Sequence, residues 1–533
     1  MQNIIFGIDG ATFNILLPMV KQGLLPNISS YLNKGVYGKL HSVFPPITFP
    51  AWTSFKTGKN PAKHGVFDFL KDVPYMDNKP SKVSIADKRE RSFFSLLSDY
   101  GYKVGVVNVP ATYPPEKVNG IFISGFSTPS IEKEFVHPAI LKQTLLSRFD
   151  YEFDIVERRI VGKEKEFLQK LTSTTKKITD AVCYLLQQDS YDFFMVNYMA
   201  VDQIQHFFYG YRDETHPLYS PEKACYGNKI EDIYSLIDNQ IGTILSTVEE
   251  PVNVFFVSDH GFGPLEKVVY LNEWLRKEGF LYLNQKEESH LRIGSIIQQF
   301  VRNVVEHFPE GLIAFIPQFM KNRANDYVSW TQMIDWSKTI AYSGGYPGKI
   351  FINLKGREKE GIVQKGLDYD EVIKQIEQKA WKMKDPDTGE QIVSAIYHNT
   401  DMYEGRYFDI APDLILIMKD MAYLNKPGFC NGNMFIPPPQ GGDHRLHGIF
   451  IAGGPDIKHK EEAFKDLHIC DIAPTVLHMY DVPLLSDFDG TVLKQIFVED
   501  SKLYHKTIQS SEKDAERTML YDTIKLLKMK KKF

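Results

Sequence analysis

Six short runs of this chain are apolar almost without interruption: "NIIFGI" (3–8), "KVGVVNV" (103–109), "DFFMVNYM" (192–199), "VNVFFVS" (252–258), "DLILIM" (413–418) and "GIFIAGG" (448–454). A strand with one wet face alternates apolar and polar residues; a strand covered on both faces does not. Helix-patterned stretches such as "SFFSLLSDYG" and "KACYGNKIEDIYSLIDNQIGTILSTV" lie between the runs. Strands alternating with helices predict an α/β fold, a doubly wound and mostly parallel sheet flanked by helices.

Sheets of this kind bind ligands beyond the carboxyl ends of their strands. The first run ends in Asp9, the third passes into "VDQIQH" with Asp202 and His206, and the fourth stops at Asp259 and His260. Asp202 and His206 are spaced so that one helical turn puts both on one face, where they can ligate one ion. His444, in "GGDHRLHGIF", precedes the last run; an antiparallel strand at the sheet margin would start it from the same edge. Singly these are ordinary turn and capping residues. Three acids and three histidines at one edge predict a metal centre. Mixed carboxylate and imidazole ligands suit zinc, manganese or iron better than calcium or magnesium. So many ligands exceed one tetrahedral ion and suit two, and two ions about 4 Å apart form a clamp for in-line phosphoryl displacement.

"PPITFPAWTSFKTGKNPAKHG" (45–65) offers a nucleophile. Pro50 belongs in a first helical turn and Gly58 fits a helix stop, which puts Thr48 at a helix N-terminus. Backbone N–H groups and the helix dipole there favour an alkoxide and a bound phosphate. A threonine hydroxyl needs activation, which a metal ion can supply. Simple N-capping is the competing role for Thr48.

Taken together, "GIDG", "ITFPAWTSFKTGKNPAKHG", "VDQIQH", "SDHGFG" and "GGDHRLHGI", in that order, resemble the alkaline phosphatase superfamily. The chain looks most like its type I phosphodiesterase/nucleotide pyrophosphatase branch, and within that a group described as predicted phosphohydrolases or phosphomutases. The resemblance implies two divalent transition-metal ions, zinc ahead of manganese. It places one on Asp9, Thr48, Asp259 and His260 and the other on Asp202, His206 and His444, with Thr48 as the nucleophile that forms a phospho-enzyme. His447 competes for the place of His444, but the "GxHR" form before the strand favours His444. The branch carries an Asn shortly after "HG"; "HGVFDFL" has Asp68 instead, which leaves the oxyanion donor unassigned. Lys59, Asn108 and Arg445 are candidate substrate-binding substitutes. The resemblance implies a phosphodiesterase, with a phosphomutase or phosphomonoesterase of the same superfamily as the alternative. A sulfatase lacks support because "TFPAW" has neither the Cys or Ser nor the Arg of that branch, and a non-catalytic binding protein would be expected to lose ligands.

Composition bounds the partners. A net charge of -5 over 533 residues gives no basic excess for nucleic-acid polymers. Four cysteines without a CxxC pair fit a reducing cytoplasm. The first residues lack a signal-peptide pattern, and no run approaches the roughly 18 apolar residues of a membrane span. The expected partner is a small-molecule phosphate ester; the sequence does not reveal an oligomeric state.

The expected organisation is a catalytic core over 1–284 and 341–497, a helical insert or cap over 285–340, and a polar tail over 498–533. In the insert, "RIGSIIQQFVRNVVEHF" puts its apolar residues on one helical face, for packing on the core or, alternatively, for a membrane surface.

Overall fold

The computed structural model describes residues 1–68, 90–153, 162–284, 330–430, 432–459 and 463–511. Most of the insert, residues 285–329, and the end of the tail, 512–533, lie outside these.

A nine-stranded sheet forms the centre. Its strands are β1 (Asn3–Ile8), β2 (Val36–His41), β3 (Val104–Val109), β4 (Gly120–Ser124), β5 (Val136–His137), β6 (Phe193–Tyr198), β7 (Asn253–Val257), β17 (His447–Gly453) and β18 (Phe464–His468). The order is β18-β2-β17-β7-β1-β6-β3-β4-β5. β7, β1, β6, β3 and β4 run parallel, whereas β17 is antiparallel to both β7 and β2. The last strand is therefore antiparallel as expected but lies inside the sheet rather than at its margin, because β2 and β18 continue beyond it.

The pleat explains the unbroken apolar runs. Ile4, Phe6 and Ile8 of β1 enter one core with Phe194 and Val196 of β6 and Val254 and Phe256 of β7. Ile5, Phe193, Met195, Phe255 and Val257 enter the core on the opposite face. Successive residues feed alternate faces, and both faces are covered by helices.

Residues 413–418 do not join this sheet. Between β7 and β17 the chain builds β8 (Gly261–Pro264), β9 (Lys267–Tyr270), β10 (Ala341–Gly345), β11 (Lys349–Ile352), β12 (Val393–His398), β13 (Leu414–Met418), β14 (Tyr423–Lys426), β15 (Phe435–Ile436) and β16 (Gly442–Arg445). β13 belongs to a separate four-stranded sheet of order β10-β11-β13-β12. The stretch 341–497 thus divides, its first part forming the small sheet and its last part returning to the large one. One face of the small sheet packs Leu414, Leu416 and Met418 on Ile373, Ile376 and Ala380 of the helix Leu367–Ala380. Its other face packs Ile415 and Ile417 against Phe44, Ala62 and Phe67, which flank the Thr48 helix. The small sheet therefore leans on the segments that carry the candidate nucleophile.

Candidate metal centre and nucleophile

Parallel strands deliver the acids to one edge. Asp9 follows β1, Asp259 and His260 follow β7, and Asp202 lies in the first turn of the helix Ala200–Phe208 after β6. Gly10 turns the chain at φ +68, and its N–H donates to Asp259 Oδ1 at 3.3 Å. A side chain at Gly10 would be strained there and would crowd Asp202. His206, one helical turn past Asp202, faces the same way. His444 arrives on β16, which pairs with β8 in the register His444↔Phe262.

Two groups of ligand atoms result. His260 Nε2 lies 3.6 Å from Asp9 Oδ1 and 3.2 Å from Asp259 Oδ2. Thr48 Oγ1 lies 3.4 Å from the same nitrogen. In the second group, Asp202 Oδ1 is 3.4 Å from both His206 Nε2 and His444 Nε2, and these two nitrogens are 3.1 Å apart. The groups adjoin, because the rings of His260 and His444 stack at 3.7 Å. Of these seven side chains all except His206 are buried. His447 is exposed and lies elsewhere, across from His41. Asp443, not singled out from the sequence, also comes within ligand reach of His206 and His444; its place beside His444 was the available signal.

Thr48 is the first residue of the helix Thr48–Thr57, which ends at Gly58 in the left-handed region. Ile47 occupies the N-cap and no side chain caps this helix, so the Thr48 hydroxyl is not used for capping. Trp52, one turn on, donates from Nε1 to Asp9 Oδ2 at 2.7 Å, which fixes that carboxylate.

The donor set fits cations. Asp9 Oδ1, Asp202 Oδ1 and Asp259 Oδ2 are buried oxygens without a hydrogen-bond partner among the described residues, one on each acid. Buried carboxylate oxygens are costly unless paired or coordinating. His260 Nδ1 lies 3.1 Å from the Gly261 carbonyl and His444 Nδ1 lies 3.1 Å from that of Pro46. His206 Nδ1 lies 3.2 Å from the Gly442 carbonyl and 2.9 Å from Gln440 Nε2. For His260 and His444, a ring nitrogen that donates to a carbonyl leaves the opposite Nε2 as a lone pair directed at the site, the usual arrangement behind a metal-ligating histidine.

Electrostatics agree. Burial, then the charge of Asp259 and Asp202, raises Asp9 well above the ordinary carboxylate range, and burial followed by Asp202 does the same for Asp259. Burial, then His444, pushes His260 well down, so it is neutral. Burial opposes the charge on His206, but Asp202 outweighs it and lifts that imidazole to about 9. Below that pH the cation-free site carries a proton on His206, which must leave before Nε2 can ligate. Cation affinity at this group should therefore rise by up to about tenfold per pH unit towards about 9 and flatten above it. Zinc titrations with proton-release measurement check this; an affinity independent of pH from neutrality to about 9 contradicts it.

The three further candidates divide differently. Lys59 is buried and paired with Glu90 and with Asp487, the latter at 2.5 Å. Arg445 donates through Nη1 to the carbonyls of Met421 and His444, both at 2.9 Å, and Asp443 at 3.2 Å, and through Nη2 to that of Pro264. The charge of Lys59 is thus paired, and the Arg445 guanidinium is held by backbone carbonyls. Asn108, near the end of β3, sits at φ +64 and donates to the Asn197 carbonyl at 2.9 Å.

A family model described as type I phosphodiesterase / nucleotide pyrophosphatase matches residues 3–428. The chain belongs to this family. As a type I phosphodiesterase family member it is a metal-dependent phosphoric ester hydrolase. No protein of curated function matches it. Human ectonucleotide pyrophosphatase / phosphodiesterase 5 is similar at 13% identity and a TM-score of 0.52, over 94% of this chain and 100% of that one. Phosphonoacetate hydrolase from Sinorhizobium meliloti 1021, in complex with phosphonoformate, is similar at 14% identity and a TM-score of 0.53, over 89% of this chain and 94% of that one. At such identities the likeness is one of fold, that of the alkaline phosphatase superfamily. Among the described residues of this family member, no helix is long and apolar enough to cross a membrane.

Proposed function

We propose that the enzyme is a two-cation phosphodiesterase that acts through a phosphothreonine at Thr48. The observation that carries this reading is the Thr48 hydroxyl at a helix N-terminus, 3.4 Å from His260 and beside the unpaired oxygens of Asp9 and Asp259. Asp9, Thr48, Asp259 and His260 would hold one cation and Asp202, His206 and His444 the other, zinc in preference to manganese for this donor set. When bound, the cations supply positive charge to the hydroxyl and to the ester oxygens. The rest falls to the chain. The helix fixes Thr48 Oγ and offers first-turn N–H groups to an anion. Thr48 Oγ attacks phosphorus as the alcohol departs opposite, and water then cleaves the phosphothreonine to give the monoester. Trp52 on Asp9 and the backbone carbonyls on the three histidines hold the ligands in place, so most of the rate arises from positioning and charge neutralisation. The substrate is a small phosphate ester, and the unpaired cysteines support a cytoplasmic setting.

The charge balance favours a diester. Two cations carry four positive charges, offset by three carboxylates and the Thr48 alkoxide. A dianionic monoester would need a further cation; the charge of Lys59 is already paired, and the donors of Arg445 are bound to backbone carbonyls. Uncompensated charge is expensive in a water-poor pocket. The metal-loaded enzyme is therefore expected to show a higher kcat/KM for bis(p-nitrophenyl) phosphate than for p-nitrophenyl phosphate, by at least about tenfold for a difference of some 1.4 kcal/mol. Faster cleavage of the monoester would replace this reading with a phosphatase or phosphomutase.

A further inference from the structure

The small sheet reaches the metal centre through one side chain. Tyr346 lies in the turn between β10 and β11, where Gly348 N donates to the Gly345 carbonyl at 2.8 Å. Gly345 and Gly348, at φ +92 and +108, form the corners of this turn, and a side chain at Gly348 would strike the Leu416 carbonyl. Lys349, the next residue after the turn and fully buried, ties it to the Thr48 side of the cleft through Asp68 Oδ2 at 2.6 Å. The Tyr346 ring stands edge-to-face with His444, centroids 6.1 Å apart.

The Tyr346 hydroxyl is buried and has no hydrogen-bond partner among the described residues, although its ring stays partly accessible. The charges that act on it belong to Asp443, Arg445, Asp202 and Asp68, two of them at the metal centre, and none of these groups bonds to it. Buried tyrosine hydroxyls ordinarily find a partner, and an orphaned donor is destabilising. A phenylalanine would keep the packing on His444 without that cost. The hydroxyl belongs to a braced turn whose aromatic ring stands against His444, a candidate ligand of the site.

We infer that Tyr346 is a catalytic residue whose phenol donates a hydrogen bond to a non-bridging phosphoryl oxygen of the substrate beside His444. This inference rests on the phosphodiesterase reading above and extends it. A phenol strengthens its bond as charge builds on that oxygen and adds no charge of its own, which suits a monoanionic diester better than a lysine or arginine would. It also makes the small sheet part of the active site, because its turn must stay docked for the donor to be in position.

The test compares wild type with Tyr346→Phe, both zinc-loaded. Metal content and melting temperature confirm that the variant is folded and loaded. Two readouts follow: the dissociation constant for orthovanadate, which mimics a five-coordinate phosphorus and needs no turnover, and kcat/KM for bis(p-nitrophenyl) phosphate. Loss of one such donor costs on the order of 10²-fold in turnover, and vanadate binding should weaken by at least about tenfold in step. Tyr346→Phe within twofold of wild type in vanadate affinity would overturn the inference. If wild type binds vanadate but cleaves neither diester nor monoester, the phosphodiesterase reading fails instead, and the vanadate comparison still decides the role of Tyr346.

Discussion

Thr48→Ala should reduce kcat by at least about 10³-fold, the scale seen when a nucleophile is removed, while fold and bound cations persist. The helix it begins is capped at Ile47 without any side-chain hydrogen bond, so the hydroxyl is not what holds the N-terminus. Thr48 is 2% exposed, and its truncation removes only a methyl and a hydroxyl from a packed site. Asp9, Asp259 and His260 remain as ligands, with Trp52 still donating to Asp9. Turnover assays with elemental analysis of the same preparation check both halves. Retention of more than about a tenth of wild-type kcat would shift the account to direct attack by water.

His206→Ala and Asp202→Ala should each lower the divalent-ion content from about two per chain towards one, on the two-cation reading. The pair supplies two of the three ligands of its group. The first group should keep its ion, because Asp9, Thr48, Asp259 and His260 all remain as ligands. Activity should fall by about 10²-fold or more in both variants, since the leaving oxygen loses its stabilising charge. If both variants keep the full metal content, the assignment of this group is wrong.

Much of this site was readable along the chain. Asp9, Asp202, Asp259 and His260 stand at the ends of runs whose burial on both faces leaves an unmistakable apolar signature, and parallel topology sends every such end to one edge. The helix from Thr48 to Gly58 was marked by Pro50 and by the glycine itself. The small sheet was not readable, because "LILIM" of β13 is buried on both faces just as β7 is, and periodicity alone does not assign a strand to a sheet. β2, "VYGKLH", carries Gly and Lys at sheet positions and gives no continuous run. The commitments of Lys59 and Arg445 also escaped the sequence, since long side chains choose partners far along the chain, such as Asp487 and Pro264. Tyr346 is 98 positions from His444 and meets it only through the docking of the small sheet.

The two-step displacement is tested most directly by the stereochemical course at phosphorus. A phosphodiester made chiral with sulfur and labelled oxygen is hydrolysed by the metal-loaded enzyme, and the configuration of the product is determined. Attack by Thr48 followed by attack of water inverts phosphorus twice, so net retention is the predicted result. Net inversion would mean a single in-line attack by water, with no phosphothreonine on the path.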